Sequence, residues 1–535
     1  MALLFQKLPR SLVVPSQGQN TVFLIEDNWD DFGFKTIFFI KVFDENGTFH
    51  DLGTVKIGYR GQNEGWTSAQ LPNQFSSLSE GFFSLGQEPD YYLKVAEDFS
   101  KDFANQFLLA IKDVVENPTC LSIAEQDVIS QTSVGNDSVF NKSILRSISS
   151  SVIKDQFPRI LAGGRPLTDF EFSYEKKANA KYSGIKADFS VDPNVKPSTN
   201  IHVLIGRNGV GKTTLLNNMV DALLPNRGEP AETGLFLKNG LMGKQALDDN
   251  YFSSVVSVSF SAFDPFTPPA PQTNPNQGTC YYYIGLKTIN QPIYNNEDRL
   301  KSTPELCNEL IASLKVCLAL SGKRERWINA VRKLESDTNF ADMNLCSLVA
   351  IADQDNTEDR SHLGSIAQSV FSRLSSGHAI VLLTLTKLVE TVDDKTLVLI
   401  DEPESHLHPP LLSAFTRALS DLLLNRNGVA IIATHSPVVL QEVPQTCVSI
   451  LRRTRLVGCV ERPTIETFGE NVGVLTREIF GLEVNKSGFY SLLADSVREG
   501  KSYAQILSEY QHQLGFEGKA ILRAICANTE NGGAI

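Results

Sequence analysis

The stretch Gly206-Arg207-Asn208-Gly209-Val210-Gly211-Lys212-Thr213 constrains what this chain can fold into more than any other. It fits G-x-x-x-x-G-K-[ST], the spacing of a phosphate-binding loop. Its flanks agree: Ile201, Val203, Leu204 and Ile205 predict a buried strand, and Leu215, Leu216, Met219, Val220 and Leu223 predict the apolar face of a helix. A tight strand–loop–helix turn aims free backbone N–H groups at an anion, at the positive end of the helix dipole. Asn208, Gly209, Gly211, Lys212, Thr213 and Thr214 are the expected nucleotide-binding residues. Lys212 is expected to meet the β- and γ-phosphates, and the Thr213 hydroxyl to ligate Mg2+.

Three further stretches fit the same chemistry. Thr396–Ile400 predicts a buried parallel strand ending in Asp401-Glu402-Pro403. Asp401 is placed to hold Mg2+, and Glu402, next along, to polarise an attacking water as general base. Leu374-Ser375-Ser376-Gly377-His378 opens a very apolar helix from Ala379 to Val389. Its hydroxyls and free N–H groups, Ser375 and Gly377 foremost, make a second anion site. Val429–Thr434 predicts another buried strand, with His435 at its end where a ring nitrogen can bond a γ-phosphate or the water.

The rest of the chain reads as an ordinary folded protein. Apolar residues make up 42% and charged residues 21% of 535 positions, enough for two to four domains around real cores. A net charge of −12 argues against a surface coated in basic residues while leaving room for a local nucleic-acid groove. The eight cysteines form no C-x-x-C pair, which points to reduced thiols and a cytoplasmic location. No membrane span or signal peptide is expected. Phe34–Phe43 and Thr54–Tyr59 predict a hairpin, 64–87 a loop, and 90–117 a helix; Phe170–Tyr174 and Tyr182–Val191 predict strands. The hairpin and those strands are expected to share one antiparallel sheet.

With four motifs in order, the chain resembles the ABC-type ATPases, in the branch with RecF, the SMC proteins and the OLD-family ATPases. The resemblance assigns 206–213 to Walker A, 374–378 to the signature, Asp401-Glu402 to Walker B and His435 to the switch histidine. The string Asp401-Glu402-Pro403-Glu404-Ser405-His406-Leu407-His408-Pro409 looks like the OLD-like branch. The fold it implies is α/β: a mostly parallel P-loop sheet flanked by helices, an antiparallel β-subdomain and helical insertions. The expected divisions are 1–64 (hairpin of the β-subdomain), 65–165 (helical insertion), 166–450 (ATPase core with a helical insert at about 300–365) and 451–535 (a helical, partner-docking tail).

Weaker strings, among them Phe32-Gly33-Phe34-Lys35-Thr36, Phe83-Ser84-Leu85-Gly86-Gln87 and Leu167-Thr168-Asp169-Phe170-Glu171-Phe172, look like the ATPase subunits of Septu-type anti-phage systems (PtuA-like), found also beside retron reverse transcriptases. That resemblance implies an ATPase using ATP and Mg2+, and a head-to-tail dimer in which Ser375 and Gly377 of one copy close on the triphosphate of the other. It also implies an HNH nuclease partner (PtuB-like) and, in a retron setting, a reverse transcriptase with its RNA–DNA hybrid. A RecF-type DNA-repair clamp is the alternative.

Two departures stand out. His378 replaces the usual Gln or Glu, and no glutamine follows the Ser254–Phe260 strand, where Asp264 is the nearest substitute. Asp495 is the one aspartate after residue 450, so no Toprim nuclease site is expected. Basic residues at Lys323, Arg324, Arg326, Arg332 and Lys333, and at Arg452, Arg453 and Arg455, either touch DNA or RNA phosphates or are solvated faces.

Overall fold

Strand Ile201–Ile205 is buried along its whole length and alternates between two cores: Ile201, Val203 and Ile205 face one, Leu204 the other. The strands around it do the same. Val398, Ile400, Ala430 and Ile432 join the first core, while Leu397, Leu399, Val429 and Ile431 join the second. Period-two side chains on a strand covered on both faces give this pattern, and explain the continuous apolar runs in the sequence. The computed structural model describes the chain except residues 1–2, 127–137, 147, 149–151, 163–168, 179–183, 194, 225–228, 241–242, 249–250, 262–265, 275–276, 290–298, 356–359, 455–456, 485–487 and 531–535. Asp264, Arg455 and the Leu167-Thr168 pair lie outside the described residues.

The central sheet has seven strands in the order Cys280–Gly285, Ser254–Ser259, Thr396–Asp401, Val429–Thr434, Ile201–Ile205, Val448–Thr454, Val457–Glu461. All neighbours are parallel except the last pair. Register aligns Ile205 with Thr434, Asp401 with Ala433, and Ser259 with Asp401. The phosphate loop, Asp401-Glu402 and His435 therefore emerge together at the carboxyl edge of the sheet, where ligands of open α/β folds bind. One face is covered by helices Thr303–Ala319, Ser321–Leu334, Ser361–Arg373, Ser376–Thr391 and Pro409–Asn425 around Trp327, whose Nε1 donates to Thr386 Oγ1 at 3.0 Å. The other face carries helix Lys212–Leu223 and a four-stranded antiparallel sheet, Ile185–Val191, Phe170–Lys176, Leu235–Gly240, Gly243–Ala246. This is a mixed α/β, ABC-like P-loop fold with an antiparallel subdomain.

The N-terminal region departs from expectation. Ile37–Phe43 and Phe49–Tyr59 do pair as a hairpin, but they belong to a separate six-stranded sheet and not to the antiparallel subdomain. Their sheet recruits Gln74–Phe75 and Phe82–Gly86 from the stretch expected to be a loop. Those strands are too short for a period-two pattern to register. Helices Pro89–Asp98 and Lys101–Ala110 pack into the same core as this sheet, through Tyr91, Tyr92, Val95, Phe103 and Phe107. The expected boundary at residue 64 thus divides a single core.

At the other end, the central sheet continues to Glu461 through the Val448–Thr454/Val457–Glu461 hairpin, past the expected boundary at 450. Beyond it, helices Gly488–Arg498, Tyr503–Glu509 and Phe516–Glu530 share a small core of their own, built on Leu493, Val497, Ile506, Leu522 and Ile525. No helix among the described residues is long and apolar enough to cross a membrane. None of the eight cysteines is in a disulfide.

Candidate nucleotide site

Gly211 has φ +98°, a left-handed conformation that glycine adopts without a Cβ penalty, and it caps helix Lys212–Leu223. The turn leaves the first N–H groups of the helix without intrahelical partners, facing the loop 206–211. Arg207, Asn208 and Gly209 are exposed, Thr213 and Thr214 are half-buried, and Lys212 is buried. Lys212 Nζ donates to the carbonyls of Gly206 and Arg207 at 3.1 and 3.3 Å, and lies 3.7 Å from Glu402 Oε1.

Asp401 ends its strand buried at the sheet edge. Glu402 then turns sharply, with φ +44°, held there by its N–H donating to Ala433 O at 2.8 Å. A non-glycine residue in this region is strained and needs surroundings that impose it. The turn brings Glu402 Oε1 to 3.8 Å from His435 Nδ1. Lys212, Glu402 and His435, from three adjacent strand ends, are therefore one cluster.

Glu404 completes that cluster and was not singled out from the sequence. Its Oε1 accepts from the His435 backbone N–H and from Thr434 Oγ1, both at 2.6 Å, and lies 2.9 Å from His435 Nδ1. It fixes both the backbone and the ring of His435. His406 Nε2 lies 3.2 Å from Phe260 O, tying the acidic turn to the end of the neighbouring strand. The Glu404-Ser405-His406 string carries the signal for these contacts, but their partners lie 31 and 146 residues away.

The donors suit Mg2+: a hydroxyl in the first turn of a helix and a carboxylate at a strand end are hard oxygen ligands of the kind that ion takes. Ser375 and Gly377 sit in a second group. Ser375 caps helix Ser376–Thr391 by accepting the His378 N–H, and both Ser375 and Ser376 are exposed. A Cβ on Gly377 would come within 2.4 Å of His406 O, so the helix start can approach the acidic turn only with glycine there. His378 turns inward onto Asp337 instead of outward. Ser375, His378, Asp337 and His408 thus bond among themselves as a second group.

The basic residues expected to be either phosphate contacts or solvated faces are neither in full. Lys323 and Arg326 are buried; Lys323 donates to Glu390 O at 2.5 Å, and Arg326 is bidentate to Glu88 at 2.9 and 3.1 Å. Arg324 pairs with Asp353, Lys333 with Asp421, and Arg452 with Glu461.

A family model described as "AAA domain, putative AbiEii toxin, Type IV TA system" matches residues 348–441, the span holding the signature, Asp401-Glu402 and His435. Protein ea59 of Escherichia phage lambda is 45% identical over 540 residues, 99% of each chain. Among solved structures, cbiO1 from Clostridium perfringens, part of the ABC transporter complex cbiONQ, aligns at 15% identity and TM-score 0.30, over 59% of this chain and 95% of that one. The SMC head domain from Thermotoga maritima aligns at 10% identity and TM-score 0.29, over 56% and 100%. The chain has a P-loop α/β fold, and it belongs to the family of phage lambda protein ea59.

Proposed function

We propose that this protein binds ATP between two copies of itself and hydrolyses it, using the opening and closing of that pair to control a separate effector. The convergence of Lys212, Glu402 and His435 carries the proposal. The phosphate loop and Lys212 bind the β- and γ-phosphates, and Glu402 takes the proton of the attacking water as it approaches phosphorus. Glu404 holds the His435 ring so that its other nitrogen is placed to hydrogen-bond the γ-phosphate or the attacking water. Thr213 and Asp401 would hold Mg2+, which when bound neutralises charge on the phosphate oxygens. The exposed, capped helix start at Ser375 and Gly377 supplies donors that a single loop cannot, and they serve the triphosphate held by the opposing copy. ATP is then the adhesive between subunits, and its hydrolysis releases them.

Lys212→Ala is expected to abolish ATP binding. Glu402→Gln is expected to bind ATP, lose at least about 99% of turnover, and accumulate as a dimer in sedimentation runs. Full turnover in Glu402→Gln would remove Glu402 from the chemistry.

The effector we propose is an HNH nuclease, in a Septu- or retron-like anti-phage system; in the retron setting a reverse transcriptase with its RNA–DNA hybrid joins the complex. Support comes from the motif strings. Purification with the products of adjacent genes tests it: an HNH protein in the complex supports this effector. ATP-dependent loading onto bare DNA by the chain alone would favour the DNA-clamp reading.

A further inference from the structure

Apart from the phosphate-loop cluster, Asp337, His378 and His408 bring their ligand atoms within 4.8 Å of one another at the start of the signature helix. Such a set invites a metal ion, but the hydrogen bonds place protons where a metal would need lone pairs. His408 caps helix Pro409–Asn425, its Nδ1 accepting the Leu411 N–H at 3.3 Å. The proton of this ring is therefore on Nε2, 3.1 Å from Asp337 Oδ2. Burial opposes ionisation of Asp337, yet hydrogen bonds from His378 and from the N–H groups of Phe340 and Asn339 hold its carboxyl below the usual carboxylate range. An ionised carboxylate only accepts, so His378 Nε2, 3.1 Å from Asp337 Oδ1, also bears a proton.

That leaves His378 Nδ1, which lies 2.6 Å from Ser375 Oγ. The direction of this last hydrogen bond depends on the charge of the ring. In neutral His378, Nδ1 is an acceptor, and the Ser375 proton is turned inward onto it. In the imidazolium ion, Nδ1–H donates to Oγ, and the serine proton is released to point outward. The groups facing His378 are Asp337, Ser375, the Phe340 ring at 5.0 Å and the His408 ring at 6.3 Å between centroids.

We propose that Asp337 and His378 form a relay that positions the Ser375 hydroxyl proton, so that Ser375 donates to a triphosphate oxygen only when His378 is an imidazolium ion, and closing of the ATP-bound pair takes up one proton per site. The proton comes from solvent and rests on His378 Nδ1; no bond to phosphorus is made or broken. His378 and Asp337 are positioning residues, and the proposal rests on the two-copy reading above.

Full-length protein carrying Glu402→Gln, with Mg-ATP, tests it by sedimentation from pH 6 to 8.5 and by calorimetry in two buffers of different ionisation enthalpy. ATP-driven dimerisation is expected to weaken as pH rises, with net proton uptake on ATP binding. Adding His378→Gln is expected to abolish both the slope and the uptake. Asp337→Asn, which removes the carboxylate that His378 Nε2 faces, is expected to weaken ATP-driven dimerisation and reduce the uptake. Uptake near zero, or an unchanged slope with His378→Gln, overturns the relay. Zinc retained through dialysis and lost with His378→Gln overturns the proton assignment. A protein that binds ATP but stays a monomer at every pH overturns the two-copy reading itself.

Discussion

Glu404 shows how one side chain can set the competence of another. Its Oε1 takes the His435 N–H, the Thr434 hydroxyl and the His435 ring together, so that ring has one orientation beside Glu402. Glu404→Gln keeps the shape but replaces charge-assisted hydrogen bonds with weaker neutral ones. Turnover is expected to fall by about tenfold with little change in the KM for ATP, since the interaction matters as charge develops on the γ-phosphate. A raised KM at constant kcat would instead assign Glu404 to ATP binding. Lys212 was legible in position from the glycine spacing before its helix, and Asp401, Glu402 and His435 from polar residues closing long apolar runs. Glu404 and Asp337 were not, because each acts on groups brought near it only by the tertiary fold.

Among the elements, the central strands were legible because burial on both faces gives long apolar runs. The N-terminal sheet was not, because Phe82–Gly86 and Gln74–Phe75 are short and lie among Ser and Gly. Beside that sheet, bridged to Ser84 of its edge strand, lies an unusual acid, Asp113. Burial pushes the Asp113 carboxyl up to about 7, against hydrogen bonds from the Val115 N–H, the Tyr92 hydroxyl and the Glu116 N–H. A carboxyl raised on folding favours the native state below its unfolded value and loses that contribution as pH rises through its folded one. Wild-type stability is therefore expected to fall by about 1 kcal/mol between pH 6 and 8 from this group alone. Asp113→Asn retains an acceptor for the two N–H groups and has no charge to bury. Denaturation curves at both pH values should show the fall absent in the variant; an equal fall would place the titration elsewhere.

At the scale of the whole molecule, the N-terminal domain is bolted to the ATPase by buried ions. Burial opposes ionisation of Glu88, but Arg326 and Arg426 on two different ATPase helices bring its carboxyl down to about 2, so it stays charged at any ordinary pH. Arg360 meets Asp27 in a second buried pair. Removing one member of a buried ion cluster strands the others, at a cost of about 3–5 kcal/mol. Glu88→Ala is expected to lower the melting temperature and open the junction to limited proteolysis. A variant as resistant as wild type would mean that the apolar contacts alone hold the domains together.

The helix that carries Arg426 just past its last turn begins at Pro409, capped by His408 on Asp337. Its 17 residues form a rod roughly 25 Å long. One tip is fastened through Asp337 to the start of the signature helix, and the other to the N-terminal domain, so one rod braces both. Because a helix resists compression along its axis, neither end can shift alone: a disturbance at the Asp337–His408 end has to be absorbed at the Glu88 junction, although the two lie about 250 residues apart in sequence.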